Sequence, residues 1–296
     1  MWAAPSFLRA AFWAVMTAIS FAVMMTTIHY LGGKFDAFEL VFVRAIVGLL
    51  FVIPLISRSG VGALKTTRMP MHVVRTLFGL FAMATLYYAL VEVPIAQATV
   101  LTFLIPLFTT IAAGMVLRER VGIHRWTATL VGFGGALIII RPGFVDVSVP
   151  VMLAVLSSLL YAGAWSSVKI LTRTDSAAVT VFWMNVLMVP LTAVPLFFVW
   201  VTPAWADVPP LLVMALAGWS AHFCQARTFE NADASAVMPF DFLRLPIAAT
   251  FGWFLFRESV DAYTWAGGAI IFAAGYYITL RESRKKRLAA AAEKES

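Results

Sequence analysis

Four ionisable residues interrupt stretches of this sequence that are otherwise apolar: Arg44, Arg75, Asp241 and Arg244. A guanidinium binds a carboxylate or phosphate through two parallel hydrogen bonds, so these arginines could hold an anionic ligand. Ionisable groups within apolar spans are costly and usually face the interior of a helix bundle, where they mark a pathway. The alternative for Arg44 and Arg75 is that each side chain reaches a headgroup or caps a neighbouring helix end.

Asp241 and Arg244 are three residues apart, which places them on one face of a helix and favours an internal ion pair. Pro239 and Pro246 flank them and weaken the helix, so that nearby carbonyls are free to bind a ligand. We interpret the pair as a substrate anchor, or Asp241 as a carboxylate whose protonation is coupled to transport. The alternative is a pair that only fixes helix packing.

Further polar and aromatic side chains occur inside the apolar stretches. His222 and Gln225 share a helix face, where the histidine could relay protons or simply donate a hydrogen bond between helices. The other candidate substrate-binding residues are Tyr88, Gln97, Thr102, Trp165, Trp183 and Asn185. No second histidine lies at a metal-ligand spacing, so we expect neither a metal site nor a cofactor.

The composition indicates a membrane protein. Of the 296 residues, 61% are hydrophobic and 12% are charged, and the mean hydropathy is +0.88. A soluble domain of this size needs more charge to cover its surface, so lipid must solvate the excess apolar area. Cys224 is the only cysteine, which excludes a disulfide within the chain.

Apolar runs of about 20 residues, the length that spans a bilayer as a helix, recur along the chain between short polar connections. They predict an all-α polytopic membrane protein with ten transmembrane helices near 8–30, 38–57, 70–91, 96–117, 124–141, 149–171, 178–201, 209–229, 236–256 and 262–280. Most of the 22 lysines and arginines fall on one side of this arrangement, together with both termini. The excess of positive charge predicts that this side faces the cytoplasm.

The basic tail at 283–296 fits an anchor on anionic lipid headgroups better than a nucleic-acid site. We therefore expect the lipid bilayer, and no nucleic acid, as a partner of this chain.

The two halves of the sequence repeat. A shift of 139 positions aligns Phe103-Leu104 with Phe242-Leu243 and Arg118-Glu119 with Arg257-Glu258. We assign 1–143 to the first repeat and 144–282 to the second. Because each repeat has five spans, an odd number, the second inserts upside down relative to the first. Inverted repeats give a carrier two related conformations around a site near the middle of the membrane.

These repeats resemble the EamA repeat of the drug/metabolite transporter superfamily. The resemblance rests on Ala96–Gly135 and its counterpart Ala234–Gly275, in which a proline-bearing span leads to a short acidic turn and then a glycine-rich span. It implies ten helices, cytoplasmic ends, alternating access around a central cavity, and a location in the bacterial inner membrane. Proteins of this superfamily move amino acids, organic acids, amines, vitamins or nucleotide-like cofactors such as S-adenosylmethionine or riboflavin.

We predict a secondary active transporter that moves a small polar metabolite across the membrane. Three arginines against one interior carboxylate favour an amino acid, an organic acid or a related compound with at least one negative group. The alternatives are an intramembrane enzyme and a channel or scaffold. No phosphate-binding GxxxxGK[ST] loop occurs, so we expect no ATP-driven pumping by this chain itself. No catalytic constellation occurs either, so we expect no enzyme activity. The glycine-rich helices permit a homodimer without requiring one.

Overall fold

A computed structural model describes residues 5–59, 64–115, 122–143, 148–171, 174–175, 177–231 and 240–295. These residues fold into helices joined by short connections. The helices, numbered here in chain order, are α1 Pro5–Leu31, α2 Ala37–Ser59, α3 Met69–Glu92, α4 Ile95–Thr102, α5 Ile105–Met115, α6 Ile123–Ile140, α7 Val149–Leu171, α8 Ala177–Val199, α9 Val208–Asn231, α10 Arg244–Phe251 and α11 Ala262–Glu295. A π-helical turn, Gly252–Phe256, continues α10.

The fourth predicted span is two helices rather than one. α4 ends at Thr102, and the chain turns through Phe103 and Leu104, whose N–H groups bond to carbonyls only three residues back, at 2.9 and 3.1 Å. Pro106 follows in the first turn of α5 and has no N–H with which to continue the α-helical ladder. The ninth span shows a matching turn at Phe242–Leu243 before α10, so the break recurs in both repeats.

Six segments in the described ranges are long and apolar enough to cross a membrane: α1, α3, α4 with α5, α6, α7 and α8. The apolar segment Arg244–Phe256 is shorter. With α2, α9, α10 and α11 the six segments give the predicted ten-helix membrane protein. The first span begins near Leu8, and the last is continuous with the helical tail.

The principal helix contacts are preserved when the two halves are exchanged. α1 packs on α9, and its counterpart α7 packs on α3; α2 packs on α8, and α6 packs on α11. At the crossing of α4 with α10, the rings of Phe103 and Phe242 lie 6.2 Å apart, and these are the two residues that the sequence shift matches. The inverted five-helix repeats are therefore confirmed, whereas the exact repeat boundaries and the extent of the tail remain predictions.

Glycines bring α6 and α11 together. A Cβ on Gly135 would lie 2.8 Å from the carbonyl oxygen of Gly267, and a Cβ on Gly267 would lie 2.5 Å from that of Gly135. Small residues allow membrane helices to approach this closely. Gly132, like Gly135, packs within the chain, since a Cβ at Gly132 would overlap a methyl carbon of Leu107.

Contacts at the two ends of the bundle confirm that the helices alternate in direction. We call the end at which α1 begins the N-terminal side and the other end the opposite side. On the opposite side, Lys34 pairs with Asp207, and Arg141 pairs with Asp261 at 2.7 Å. On the N-terminal side, His72 contacts Asp175 at 2.7 Å.

Candidate functional site

A cavity of about 300 Å³ lies in the middle of the bundle and extends toward the N-terminal side. Its walls come from both repeats, namely α2 and α3 of the first and α7, α8 and α9 of the second. The lining residues are Arg44, Gly48, Arg75, Gly79, Met83, Tyr161, Ala164, Trp165, Val168, Thr180, Val181, Met184, Asn185, Ala215, Trp219, His222 and Gln225. A cavity between two inverted repeats is where an alternating-access carrier holds its substrate.

Arg44 enters the cavity from α2, about two turns from the start of that helix. Its Nη1 donates to the sulfur of Met83 at 2.8 Å, and its Nη2 donates to Nε2 of His222 at 2.9 Å. Gly218 on α9 makes room for this side chain, because a Cβ there would lie 3.0 Å from Nε of Arg44. A thioether and an imidazole are weak partners for a guanidinium, so Arg44 retains capacity to bind an anion.

The contact between Arg44 and His222 fixes the proton on the imidazole. A guanidinium has only donors, so Nε2 of His222 must be the acceptor. His222 is therefore neutral in this arrangement, with its proton on Nδ1. The ring of Phe21 packs edge-to-face against the imidazole, with the ring centres 5.6 Å apart.

Arg75 is the second cation of the cavity. Its Nε is buried with no hydrogen-bond partner, and no contact joins its guanidinium to an acceptor on any described residue. The lining residues that the structure describes include no aspartate or glutamate. With Arg44 and Arg75 charged and His222 neutral, the cavity wall carries two uncompensated positive charges, which favours an anionic ligand.

Aromatic side chains form another part of the wall. Trp165 of α7 and Trp219 of α9 both line the cavity. The indole of Trp219 stacks with the rings of Phe51 and Phe223, whose centres lie 4.4 and 5.2 Å away. The two indoles give the cavity an aromatic lining against which a planar ring can pack, face-on or edge-on.

A polar amide lies next to this wall. Nδ2 of Asn185 donates to the carbonyl of Val181 at 3.0 Å. Gly48 of α2 faces the amide oxygen, and a Cβ at that position would lie 2.8 Å from Oδ1 of Asn185. The missing side chain of Gly48 therefore leaves space for the Asn185 amide, whose oxygen is available to accept a hydrogen bond from a ligand.

Six of the twelve residues selected from the sequence line this cavity: Arg44, Arg75, Trp165, Asn185, His222 and Gln225. The other six are elsewhere: Asp241 and Arg244 pair with each other, and three more bond to other residues of the protein. The Tyr88 hydroxyl donates to Asp36 at 2.6 Å, Nε1 of Trp183 donates to the carbonyl of Leu64 at 2.9 Å, and the buried Thr102 hydroxyl donates to the carbonyl of Thr99 at 2.6 Å. Gln97 does not line the cavity either.

Asp241 and Arg244 form the ion pair that their spacing predicts. The guanidinium of Arg244 also lies over the rings of Phe21 and Phe103, at 4.8 and 5.7 Å, and neither member of the pair lines the cavity. This geometry joins α10 to α1 and α4. It favours the packing role that we set against the substrate-anchor interpretation.

Sequence reasoning missed several lining residues, of which Trp219 and Tyr161 are the largest. A signal for Trp219 was present, because it precedes His222 by three positions and so shares its helix face. No sequence signal pointed to Gly48 or Gly218, because each glycine contributes only the space that a side chain on another helix occupies.

The opposite side of the bundle is held closed by polar contacts. Glu39 is fully buried and accepts a hydrogen bond from the N–H of Val201 at 3.2 Å. The hydrogen bond from Lys34 holds the pKa of Asp207 below its usual value. No cluster of three His, Cys, Asp or Glu side chains that could hold a metal occurs among the residues that the structure describes.

Comparison with known proteins adds a family and named relatives. The sequence profile of the EamA-like transporter family matches residues 8–141 and again residues 148–280. The chain is 31% identical over 280 residues to the riboflavin transporter of Rhizobium johnstonii, covering 94% of this chain and 93% of that protein. It is 28% identical over 279 residues to the S-adenosylmethionine uptake transporter of Rickettsia prowazekii, covering 94% and 95%.

A solved crystal structure shares the fold. It superposes with a TM-score of 0.61 at 16% sequence identity, over 95% of this chain and 99% of the matched chain. At this level of identity the match supports the helical arrangement described above and carries no information about substrate.

Proposed function

The chain belongs to the EamA-like transporter family, and from that premise we propose that it is a secondary active carrier for a metabolite that combines a planar ring with an anionic or zwitterionic group. Its family and its named relatives are transporters of small molecules rather than enzymes. The observation that carries the substrate class is the pair of arginines, Arg44 and Arg75, in a cavity with no carboxylate among its described lining residues.

The charge of the cavity supports an anionic group on the substrate. Buried charges are tolerated when a partner compensates them, and Arg75 has none on any described residue. A carboxylate or phosphate that bridges Arg44 and Arg75 would satisfy both guanidinium groups at once. The carboxylates of amino acids and organic acids would satisfy this charge requirement by themselves, without the planar ring.

The aromatic wall supports a planar ring. The indoles of Trp165 and Trp219 line the cavity, and so does the Asn185 amide, which can form a hydrogen bond with a ring substituent. Adenosylated metabolites such as S-adenosylmethionine, which has an adenine ring and a carboxylate, fit both features. Flavins supply the ring, and flavin mononucleotide adds a phosphate. The named relatives support these two compound classes.

Transport would proceed by rocking of the two repeats about the cavity. Contacts close the opposite side, and the cavity extends toward the N-terminal side, so substrate would enter and leave this conformation through the N-terminal side. The distribution of lysine and arginine supports a bacterial inner membrane location with that side in the cytoplasm.

A ligand series tests the proposal. The purified protein would be titrated in detergent with S-adenosylmethionine, flavin mononucleotide, riboflavin, succinate, glutamate and choline, with binding followed by calorimetry and by thermal shift. We expect the tightest binding from compounds that carry both a ring and an anionic group. Counterflow in proteoliposomes with the tightest ligand would distinguish a carrier from a channel.

Arg75→Ala should weaken the binding of anionic ligands at least about tenfold, because a hydrogen bond to a charged group contributes about 1.5–3 kcal/mol. Arg281→Ala is the matched control, since Arg281 is exposed on α11, away from the cavity. Preferential binding of choline, or equal binding of anions by both variants, would contradict the proposal.

A further inference from the structure

We propose that His222 is the proton-binding group of this carrier and that one proton enters the cavity with each anionic substrate. The inference rests on the proposed function, because it needs an anion to bind at the two arginines. It assigns a coupling ion to the transporter and a residue that carries it. Sequence reasoning left proton coupling open between Asp241 and His222, and the geometry separates the two.

Asp241 is poorly placed for the task. Its carboxylate is bound by Arg244, and the pair lies outside the cavity lining. Protonating Asp241 would break that ion pair and leave the partly buried Arg244 without its counter-ion. His222, in contrast, faces the cavity directly and is one hydrogen bond away from Arg44.

In the structure His222 is held in the neutral form by Arg44. Nε2 accepts from Nη2 of Arg44 at 2.9 Å, so the lone pair that would take a proton is occupied. A proton on Nε2 would place two donors against each other and add a third positive charge beside Arg44 and Arg75. The unloaded carrier therefore binds no proton at this site.

The charged and titratable groups that face His222 do not favour its protonated form, so an anionic ligand is needed to stabilise the imidazolium. α2 contributes Arg44, α3 contributes Arg75, α7 contributes the Tyr161 phenol, and α10 contributes Arg244. α1 contributes the uncharged ring of Phe21. Arg244 is already neutralised by Asp241, and the remaining groups include no negative charge to balance an imidazolium.

An anion on Arg44 and Arg75 supplies that balance. When a carboxylate or phosphate takes the N–H groups of Arg44, Nε2 of His222 is released from its donor. The imidazole then takes a proton from water on the open side, and the new Nε2–H donates to the anion. On release of the anion, Arg44 returns to Nε2 and the proton leaves, so one proton moves with one anionic group.

Proton uptake on binding tests this directly. The wild type and His222→Gln would be titrated with flavin mononucleotide and with S-adenosylmethionine in weakly buffered detergent solution while pH is recorded. We expect the wild type to take up about one proton per ligand bound near neutral pH. The glutamine can accept from Arg44 through its amide oxygen but cannot ionise, so His222→Gln should bind ligand with no proton uptake.

The pH dependence of affinity gives a second readout. Because the loaded carrier holds one proton more than the empty one, the affinity of the wild type should rise about tenfold for each pH unit of acidification while the empty carrier stays deprotonated. His222→Gln should lose this slope. His124→Gln is the control, since His124 is exposed at the start of α6, and it should behave as the wild type does.

Three outcomes separate the claims. Ligand binding with no proton uptake by the wild type would overturn the coupling and leave the anion site intact. Uptake that persists in His222→Gln would overturn the assignment of His222. If no anionic ligand binds to folded protein, the substrate proposal fails and the coupling fails with it.

Discussion

The carboxylate of Glu258, in the second repeat, accepts a hydrogen bond from the backbone N–H of Ile95, in the first repeat, at 3.0 Å. Ile95 begins α4, where N–H groups lack partners within the helix. The other oxygen of Glu258 lies 3.3 Å from Nε2 of His29 on α1. One side chain therefore joins the two repeats on the closed side of the bundle.

Removing this link should favour opening of that side. We expect Glu258→Ala to increase the reaction rate of a cysteine placed at the buried Val93 with a water-soluble maleimide, in a Cys224→Ser background. Glu258→Gln should have a smaller effect, because its amide oxygen can still accept from Ile95. An unchanged rate in Glu258→Ala would show that the contact does not hold the closed side.

The aromatic wall should select for rings. Trp165→Ala should weaken the binding of S-adenosylmethionine and flavin mononucleotide roughly tenfold and leave succinate binding nearly unchanged, since an aromatic pair contributes about 0.5–1.5 kcal/mol beyond area burial. Calorimetric titration measures both ligands. Trp253→Ala, on the exposed π-helical turn, is the control. Equal losses for ring and non-ring ligands would argue against stacking on Trp165.

The ion pair of Asp241 and Arg244 should support stability rather than binding. We expect Asp241→Asn to lower the apparent Tm by several degrees, because it leaves a partly buried guanidinium without its counter-ion. The double variant Asp241→Asn with Arg244→Met should recover part of this loss. Thermal unfolding measures both. A drop in ligand affinity with no change in Tm would restore the substrate-anchor interpretation.

Asp175 should make stability depend on pH. Burial by itself would raise the pKa of Asp175, but hydrogen bonds from Thr66 and His72 outweigh it and hold the pKa below its usual value. A carboxylate with a lowered folded-state pKa contributes stability above its unfolded pKa of about 3.9, and that contribution is lost as pH falls through the folded value.

Asp175→Asn should therefore be less stable than the wild type at neutral pH. In thermal unfolding curves the difference should begin to shrink below about pH 4 and vanish below the folded-state pKa of Asp175. A difference in stability that is constant between pH 7 and pH 3 would show that the ionised carboxylate is not what stabilises this contact.

The sequence by itself determined the membrane architecture. A helix is the structure that satisfies every backbone polar group within one apolar segment, so long apolar runs in lipid must be helices. The odd number of spans in each repeat then forces the halves to be inverted. The turn at Phe103–Leu104 escaped this reasoning, although Pro106 is visible in the sequence, because proline is tolerated in membrane helices when neighbours satisfy the freed groups.

Only the tertiary structure decided which polar residues share the cavity. Trp183 and Asn185 are two positions apart on α8, and a turn of about 200° separates their side chains. Both cannot face one cavity, and their types do not say which does. Asn185 faces the cavity, whereas Trp183 bonds to Leu64. A helix that is apolar on nearly every face has no polar face to fix its rotation about its own axis. Contacts with neighbouring helices therefore determine which residues face the cavity.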